Sequence, residues 1–196
     1  FSGGNEWGGM SFDPKTEYLF ANTENVIWTT AVIDRSGRKR VEGPDLPGAM
    51  SRYTFSGYNK FVDPEGYPAT AAPWGHLTAI DLKTGKFAWR FPFGEYPELV
   101  EKGLKDTGSE SYGGAVITGS GLLFIGATIY DRKLRAFDTK SGKLLWQTVL
   151  PYAGTTTPIT YVANGKQYVV IGTTSAMNRK AAAKGTAYVA YALDDK

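Results

Sequence analysis

Residues 77–89 read LTAIDLKTGKFAW and residues 134–146 read LRAFDTKSGKLLW, so nearly the same thirteen residues occur twice, 57 positions apart. Both copies carry Ala-x-Asp-x-x-x-Gly-Lys-x-x-Trp: Ala79, Asp81, Gly85, Lys86 and Trp89, then Ala136, Asp138, Gly142, Lys143 and Trp146. A chain repeating itself at this spacing folds as a series of like units, each burying its face against the next. Each part of the motif has a structural job. Alternation over Leu77–Asp81 makes a strand. The aspartate accepts turn N–H groups. The glycine takes a backbone angle closed to other residues. The second strand carries the tryptophan, a large flat surface with one N–H that needs a partner. On this reading the small Ala of one repeat leaves room for the Trp of another. Both Asp residues are turn-forming rather than catalytic.

The rest of the chain is strand-like. Expected strands cover Met10–Phe12, Tyr18–Asn22, Val26–Ile33, His76–Asp81, Phe87–Phe91, Ala115–Thr118, Leu122–Ala127, Lys133–Asp138, Leu144–Leu150, Thr157–Val162, Gln167–Thr173 and Thr186–Leu193. Turn chemistry separates them, with Asn164-Gly165 the strongest hairpin signal. Helix periodicity is confined to Tyr96–Lys105 and a short Ala-rich stretch near Ala181. Asp34 to Pro73 is rich in Gly and Pro and lacks periodicity. The expectation is an antiparallel all-β protein in which four-stranded units recur every 40–50 residues or so, as in propellers.

Several chemistries are excluded. The chain has no cysteine, so disulfides, thiolate catalysis and Cys-ligated metals do not arise. Its single histidine, His76, rules out a His-based zinc site and reads as a loop or strand-end residue. No calcium loop, Gly-x-Ser-x-Gly elbow, Walker loop or Rossmann loop occurs. The basic run Arg35–Arg40 reads as a solvated loop, with no nucleic-acid motif beside it. The chain opens on Phe1 rather than Met, which suggests a piece of something longer.

The docking motif resembles that of the eight-bladed propellers of quinoprotein dehydrogenases, enzymes that use pyrroloquinoline quinone (PQQ). Further segments resemble the family in order: Asn5–Pro14 (NEWGGMSFDP), Pro73-Trp74-Gly75, Tyr112-Gly113-Gly114, Thr118–Thr128, Leu150-Pro151, Thr157–Tyr161, Gly165–Ile171 and Gly185–Leu193. The last is similar to the chain end of the membrane-bound glucose and quinate dehydrogenase branch. The resemblance spans the chain apart from about Asp34 to Tyr67.

It implies a partial β-propeller: residues 1–196 as the C-terminal part of one propeller domain, with a blade over 7–91 carrying an insertion at 34–73, a blade over 112–150, and an incomplete three-stranded blade over 157–193. It also implies PQQ and calcium as cofactors, the remaining blades as partner, an alcohol or sugar substrate, a quinone or cytochrome electron acceptor, no nucleic acid, and a periplasmic location with any membrane attachment made elsewhere. The family's catalytic aspartate, its calcium ligands and the cation beside the quinone belong to earlier blades. This chain is therefore expected to supply no catalytic residue and no metal ligand, and to be inactive alone.

Four residues are carried over as cofactor-lining: Glu6, Trp7, Tyr112 and Thr173. Glu6 stands where relatives often place Asn near the quinone; alternatively it is a solvent-facing carboxylate at a strand start. Tyr112 aligns with a position that reaches the cofactor, and a packed aromatic is the plainer reading. Thr173 follows Gly172 in a segment aligned with a Gly-Gly-His-Gly loop in relatives, but Thr173-Thr174-Ser175 departs from that pattern. A non-catalytic propeller scaffold and a stand-alone interaction unit are the competing readings.

Overall fold

A computed structural model describes residues 3–36, 52–178 and 184–193. It divides into a small unit, Val26–Thr70, and a larger one made of Ser2–Asn25 with Ala71–Lys196. The Ala-rich stretch near Ala181 and residues 37–40 of the basic run lie outside the described residues.

The larger unit holds three antiparallel sheets in chain order. The first contains Gly4–Asn5, Ser11–Asp13, Tyr18–Glu24, Gly75–Asp81 and Lys86–Pro92. Two short strands, Gly4–Asn5 and Ser11–Asp13, share the partner Tyr18–Glu24, which makes this sheet five-stranded rather than four. Ala115–Ile117, Leu122–Ile125, Lys133–Asp138 and Leu144–Val149 form the second sheet as a simple meander. The third is Ile159–Ala163, Lys166–Thr174 and Thr186–Ala192. Its first hairpin turns at Asn164 and Gly165, with φ of 51° and 75°, the pair of left-handed residues that a two-residue hairpin loop requires.

Strand alternation decides which faces meet. Phe20, Leu77 and Ala79 of the first sheet, with Phe93 just beyond its last strand, interlock with Ala115, Leu123, Ile125 and Phe137 of the second. Leu134 of the second sheet and Leu150 beyond its last strand meet Ile171, with Val189 and Tyr191 packed alongside. The sheets thus stack one upon the next, each through an apolar layer about 10 Å thick.

The repeated motif makes the stack specific. Ala79 lies directly opposite Trp89 in its own hairpin, and Ala136 opposite Trp146. The small residue therefore accommodates the Trp of its own repeat, not that of another as the sequence suggests. What the Trp reaches in the neighbour is the turn. The Trp89 indole N–H donates to the Thr139 carbonyl at 3.1 Å, and a Cβ on Gly142 would come within 2.8 Å of the indole Cδ2. Trp146 meets the ring of Tyr191 edge-on, 5.4 Å between centroids.

Elsewhere the chain departs from expectation. Val26–Ile33 is not one strand. Trp28–Thr29 pairs with Asn59–Lys60, and Val32–Asp34 pairs with Tyr53–Phe55, both within the small unit. The run has high β-propensity, but the first sheet's ladder ends at Glu24, whose partners are Gly4 and Gly75. Both short sheets fall within the small unit Val26–Thr70. The expected helix over Tyr96–Lys105 shortens to Pro97–Glu101. Pro97 fits its first turn, and Gly103, with φ of 85°, ends it.

Candidate functional site

The segments that lead into the three sheets meet in the larger unit. The first is the turn Glu6–Gly9, closed by the Gly9 N–H donating to the Glu6 carbonyl at 3.0 Å. Gly9 adopts φ of 74°, so the turn folds back tightly and leaves Trp7 at its tip. The indole is 70% exposed, the least covered tryptophan in the described residues. Glu6 accepts the Gly3 N–H through Oε1 at 3.2 Å.

The second is Ser111–Gly114, which leads into Ala115–Ile117. Gly8 packs on Gly113 with no room for a Cβ, and Gly114 packs on the Gly8 carbonyl. Such backbone-on-backbone contact is open only to glycine. Trp7 and Tyr112 are therefore each one residue from the same contact. A Cβ on Gly113 would also fall 2.7 Å from the carbonyl oxygen of Thr155, in the segment leading into the third sheet.

That third segment is knitted in by hydroxyls. Thr157 Oγ1 accepts the Gly114 N–H at 3.0 Å and donates to the Gly8 carbonyl at 3.4 Å. Thr156 Oγ1 accepts the Gly172 N–H at 3.0 Å and donates to the Gly172 carbonyl at 3.1 Å. Thr173 follows, but its side chain is buried and its hydroxyl donates to the Ala187 carbonyl at 3.0 Å within its own sheet. Glu6, Trp7 and Tyr112 thus lie around one glycine contact, while Thr173 is linked to it through Thr156 and points into the sheet.

Behind Tyr112 lies a buried polar layer. Tyr130 donates to Glu110 Oε1 at 3.0 Å, and the rings of Tyr96 and Tyr130 stack at 4.4 Å. Burial pushes both phenols well above their ordinary range, with Glu110 adding to the effect on each. They stay neutral and serve as hydrogen-bond donors across the working pH range. On the opposite side, the strand Tyr18–Glu24 sends two polar side chains into the loop. Asn22 Nδ2 donates to Ser111 Oγ and to the Gly113 carbonyl, each at 3.1 Å. Glu24 Oε2 accepts the Ser111 N–H at 3.1 Å.

These four residues, Asn22, Glu24, Ser111 and Thr157, do not stand out in the sequence. The one available signal is an asparagine in mid-strand, where its type is depleted and a side-chain task is implied. His76 is the second residue of its strand, opposite Thr23 and Pro92. Burial, together with Arg90, lowers its pKa. Among the described residues no three His, Cys, Asp or Glu side chains gather to hold a metal ion, and no helix is long and apolar enough to cross a membrane.

Residues 1–169 match the family model of the glucose/ethanol/alcohol dehydrogenase β-propeller domain, a PQQ family. The chain is 37% identical over 209 residues to a probable quinate dehydrogenase (quinone) of Xanthomonas campestris pv. juglandis, covering 98% of this chain and 26% of that protein. It is 35% identical over 210 residues to the quinoprotein glucose dehydrogenase of Escherichia coli K12, covering 97% and 26%. The glycerol dehydrogenase large subunit of Gluconobacter thailandicus is 36% identical over 193 residues, covering 87% and 26%. Among solved structures, the quinohemoprotein alcohol dehydrogenase from Comamonas testosteroni superposes with a TM-score of 0.55 at 23% identity, covering 87% of this chain and 22% of that one. The fold is therefore that of a quinoprotein propeller in part, and the chain spans about a quarter of the length of the curated relatives it matches.

Proposed function

The chain belongs to the PQQ-dependent dehydrogenase β-propeller family, in the branch of quinone-linked glucose and quinate dehydrogenases, and from this premise we propose that it is the C-terminal part of an enzyme that oxidises a sugar, polyol or other alcohol. PQQ and calcium are the cofactors the family implies. In this reading the chain supplies one side of the cofactor pocket, and other blades of the same enzyme supply the catalytic base and the calcium ligands. The parent enzyme passes electrons to a quinone or a cytochrome and works in the periplasm.

The observation that carries this reading is the placement of Trp7 on a glycine turn whose Gly8 packs on Gly113, next to Tyr112 in the chain. A flat aromatic surface held on a rigid glycine turn suits a planar quinone. PQQ, when bound, supplies the two-electron acceptor for oxidation of the alcohol carbon. This chain's own residues bind and orient. Trp7 would offer its aromatic face to the cofactor and help exclude water there. Glu6, whose Oε1 already accepts Gly3, would offer a carboxylate to a hydrogen-bond donor of the cofactor or of the substrate. Tyr112 fills the rim, held by its N–H donating to the Ala127 carbonyl at 2.9 Å. Thr173 takes part only through the main chain, because its hydroxyl is committed to Ala187.

The test is to load the full-length polypeptide with PQQ and calcium and assay dye-linked oxidation across sugars, polyols and simple alcohols. Turnover of at least one class, abolished by omitting PQQ, is expected. Absence of turnover across the panel, with no measurable PQQ binding, overturns the reading in favour of a non-catalytic scaffold.

A further inference from the structure

Asn22 is 3% exposed and lies on the face of its strand that meets the second sheet. Its side-chain nitrogen carries two N–H groups, and each has a separate acceptor: the hydroxyl of Ser111 and the carbonyl of Gly113. Its own carbonyl accepts the side-chain N–H of Asn5 at 3.0 Å. Asn22 therefore ties three pieces of chain together: the strand leading to Glu6, its own strand, and the loop that carries Tyr112. From the other side, Thr157 joins Gly8 to Gly114 with a single hydroxyl. Gly8 and Gly113 are pressed together between these two fastenings.

We propose that Asn22, with Thr157 opposite it, is a positioning residue that sets how the segments carrying Trp7 and Tyr112 sit against each other, and so the shape of the pocket wall that this chain would offer to PQQ. This rests on the reading of Trp7 and Tyr112 as cofactor-lining. The chemistry requires an amide. Aspartate has no donor for the Gly113 carbonyl, and leucine has neither donor nor acceptor. With either, a buried carbonyl loses its partner and the loop must shift to recover one. A shift of about 1 Å in a binding wall is enough to lose most of its contribution.

The experiment uses the full-length polypeptide without cofactor. PQQ is titrated against the quenching of tryptophan fluorescence for wild type, Asn22→Leu, Thr157→Val, Thr157→Ser and Trp7→Ala. Amide hydrogen exchange is followed over residues 111–114 in the same proteins. Asn22→Leu and Thr157→Val are expected to raise the Kd for PQQ about tenfold or more, which corresponds to the loss of one well-placed contact. Exchange at Ser111 to Gly114 should quicken, while the unfolding temperature moves by only about a few degrees. Thr157→Ser keeps both hydrogen bonds and should bind PQQ as wild type does. Should Asn22→Leu fail to fold, the Thr157 pair decides alone.

Wild-type PQQ binding in Asn22→Leu or Thr157→Val, alongside weakened binding in Trp7→Ala, overturns the positioning role and leaves the site standing. Wild-type binding in Trp7→Ala overturns the site itself, and this inference falls with it.

Discussion

The indole nitrogen of Trp89 reaches forward fifty residues to the carbonyl of Thr139, and the ring lies flat enough on the neighbouring turn that Gly142 has no space for a side chain. One residue thereby joins the outermost strand of the first sheet to the loop of the second. Trp89 also stacks on Phe91, with 14° between the ring planes, and touches Phe20.

Trp89→Phe keeps most of the packing and loses the hydrogen bond, so it should cost about 1 kcal/mol. Trp89→Ala also empties the space between the sheets and should cost about 3 kcal/mol. Gly142→Ala should cost about 1–2 kcal/mol, because its φ of 71° strains any other residue and the methyl meets the indole. Urea unfolding of the full-length polypeptide measures all three. Equal, negligible effects would remove the motif's role as a clasp.

Asp13 should make stability depend on acid. Burial raises its pKa, but the N–H of Lys15 and the hydroxyls of Thr16 and Thr139 outweigh burial and hold it below its ordinary value of 3.8. A carboxylate lowered on folding stabilises the protein above its unfolded pKa. That contribution is lost as pH falls through the folded value. Asp13→Asn should therefore be less stable than wild type at pH 7, with the gap narrowing as pH drops below about 4. Thermal unfolding across that range would show the convergence; a constant gap refutes it.

Glu6 separates a cofactor contact from a solvent-facing carboxylate. In the full-length polypeptide, Glu6→Leu should weaken PQQ binding about tenfold through loss of a charged hydrogen bond. Glu6→Asn, the residue type the family often carries, should bind within about threefold of wild type on the same scale. If Glu6→Leu binds PQQ unchanged, Glu6 serves only to accept Gly3.

The chain produced alone should oxidise no alcohol even with PQQ and calcium added. It should also self-associate. The face of the third sheet turned away from the second exposes Ile159, Tyr161 and Tyr188, the last at 89%. Apolar sheet faces of this kind seek a partner. Light scattering and a dye-linked assay test both statements, and a stable monodisperse monomer would contradict the second.

Much of the fold is legible residue by residue because it is local. Hairpins announce themselves through Asn164-Gly165 and the Thr-Gly and Ser-Gly turns, and alternation around Leu77 and Ala136 marks strands. Local pattern also misleads: Val26–Ile33 has every mark of a strand, yet the sheet it would join ends at Glu24. Of the site, Trp7 beside a double glycine is visible as a motif. The fastening that holds it is not, since Asn22 reaches partners 89 and 91 residues away and Thr157 reaches Gly8 across 149. Nothing in the neighbourhood of an asparagine or a threonine encodes an acceptor so distant. Thr173 differs again: strand alternation turns its side chain inward, and its hydroxyl donates to the Ala187 carbonyl.

The forward reach of Trp89 also has a consequence for synthesis. When the ribosome has released Trp89, the carbonyl that will receive its N–H has not yet been made, and the indole waits for fifty further residues. The first sheet thus gains this contact only after the second has been translated, and Trp146 of the second likewise meets Tyr191 of the third. Limited proteolysis of ribosome-bound chains should find the Lys86–Pro92 strand cleavable until the turn at Thr139–Gly142 has left the exit tunnel, and protected afterwards.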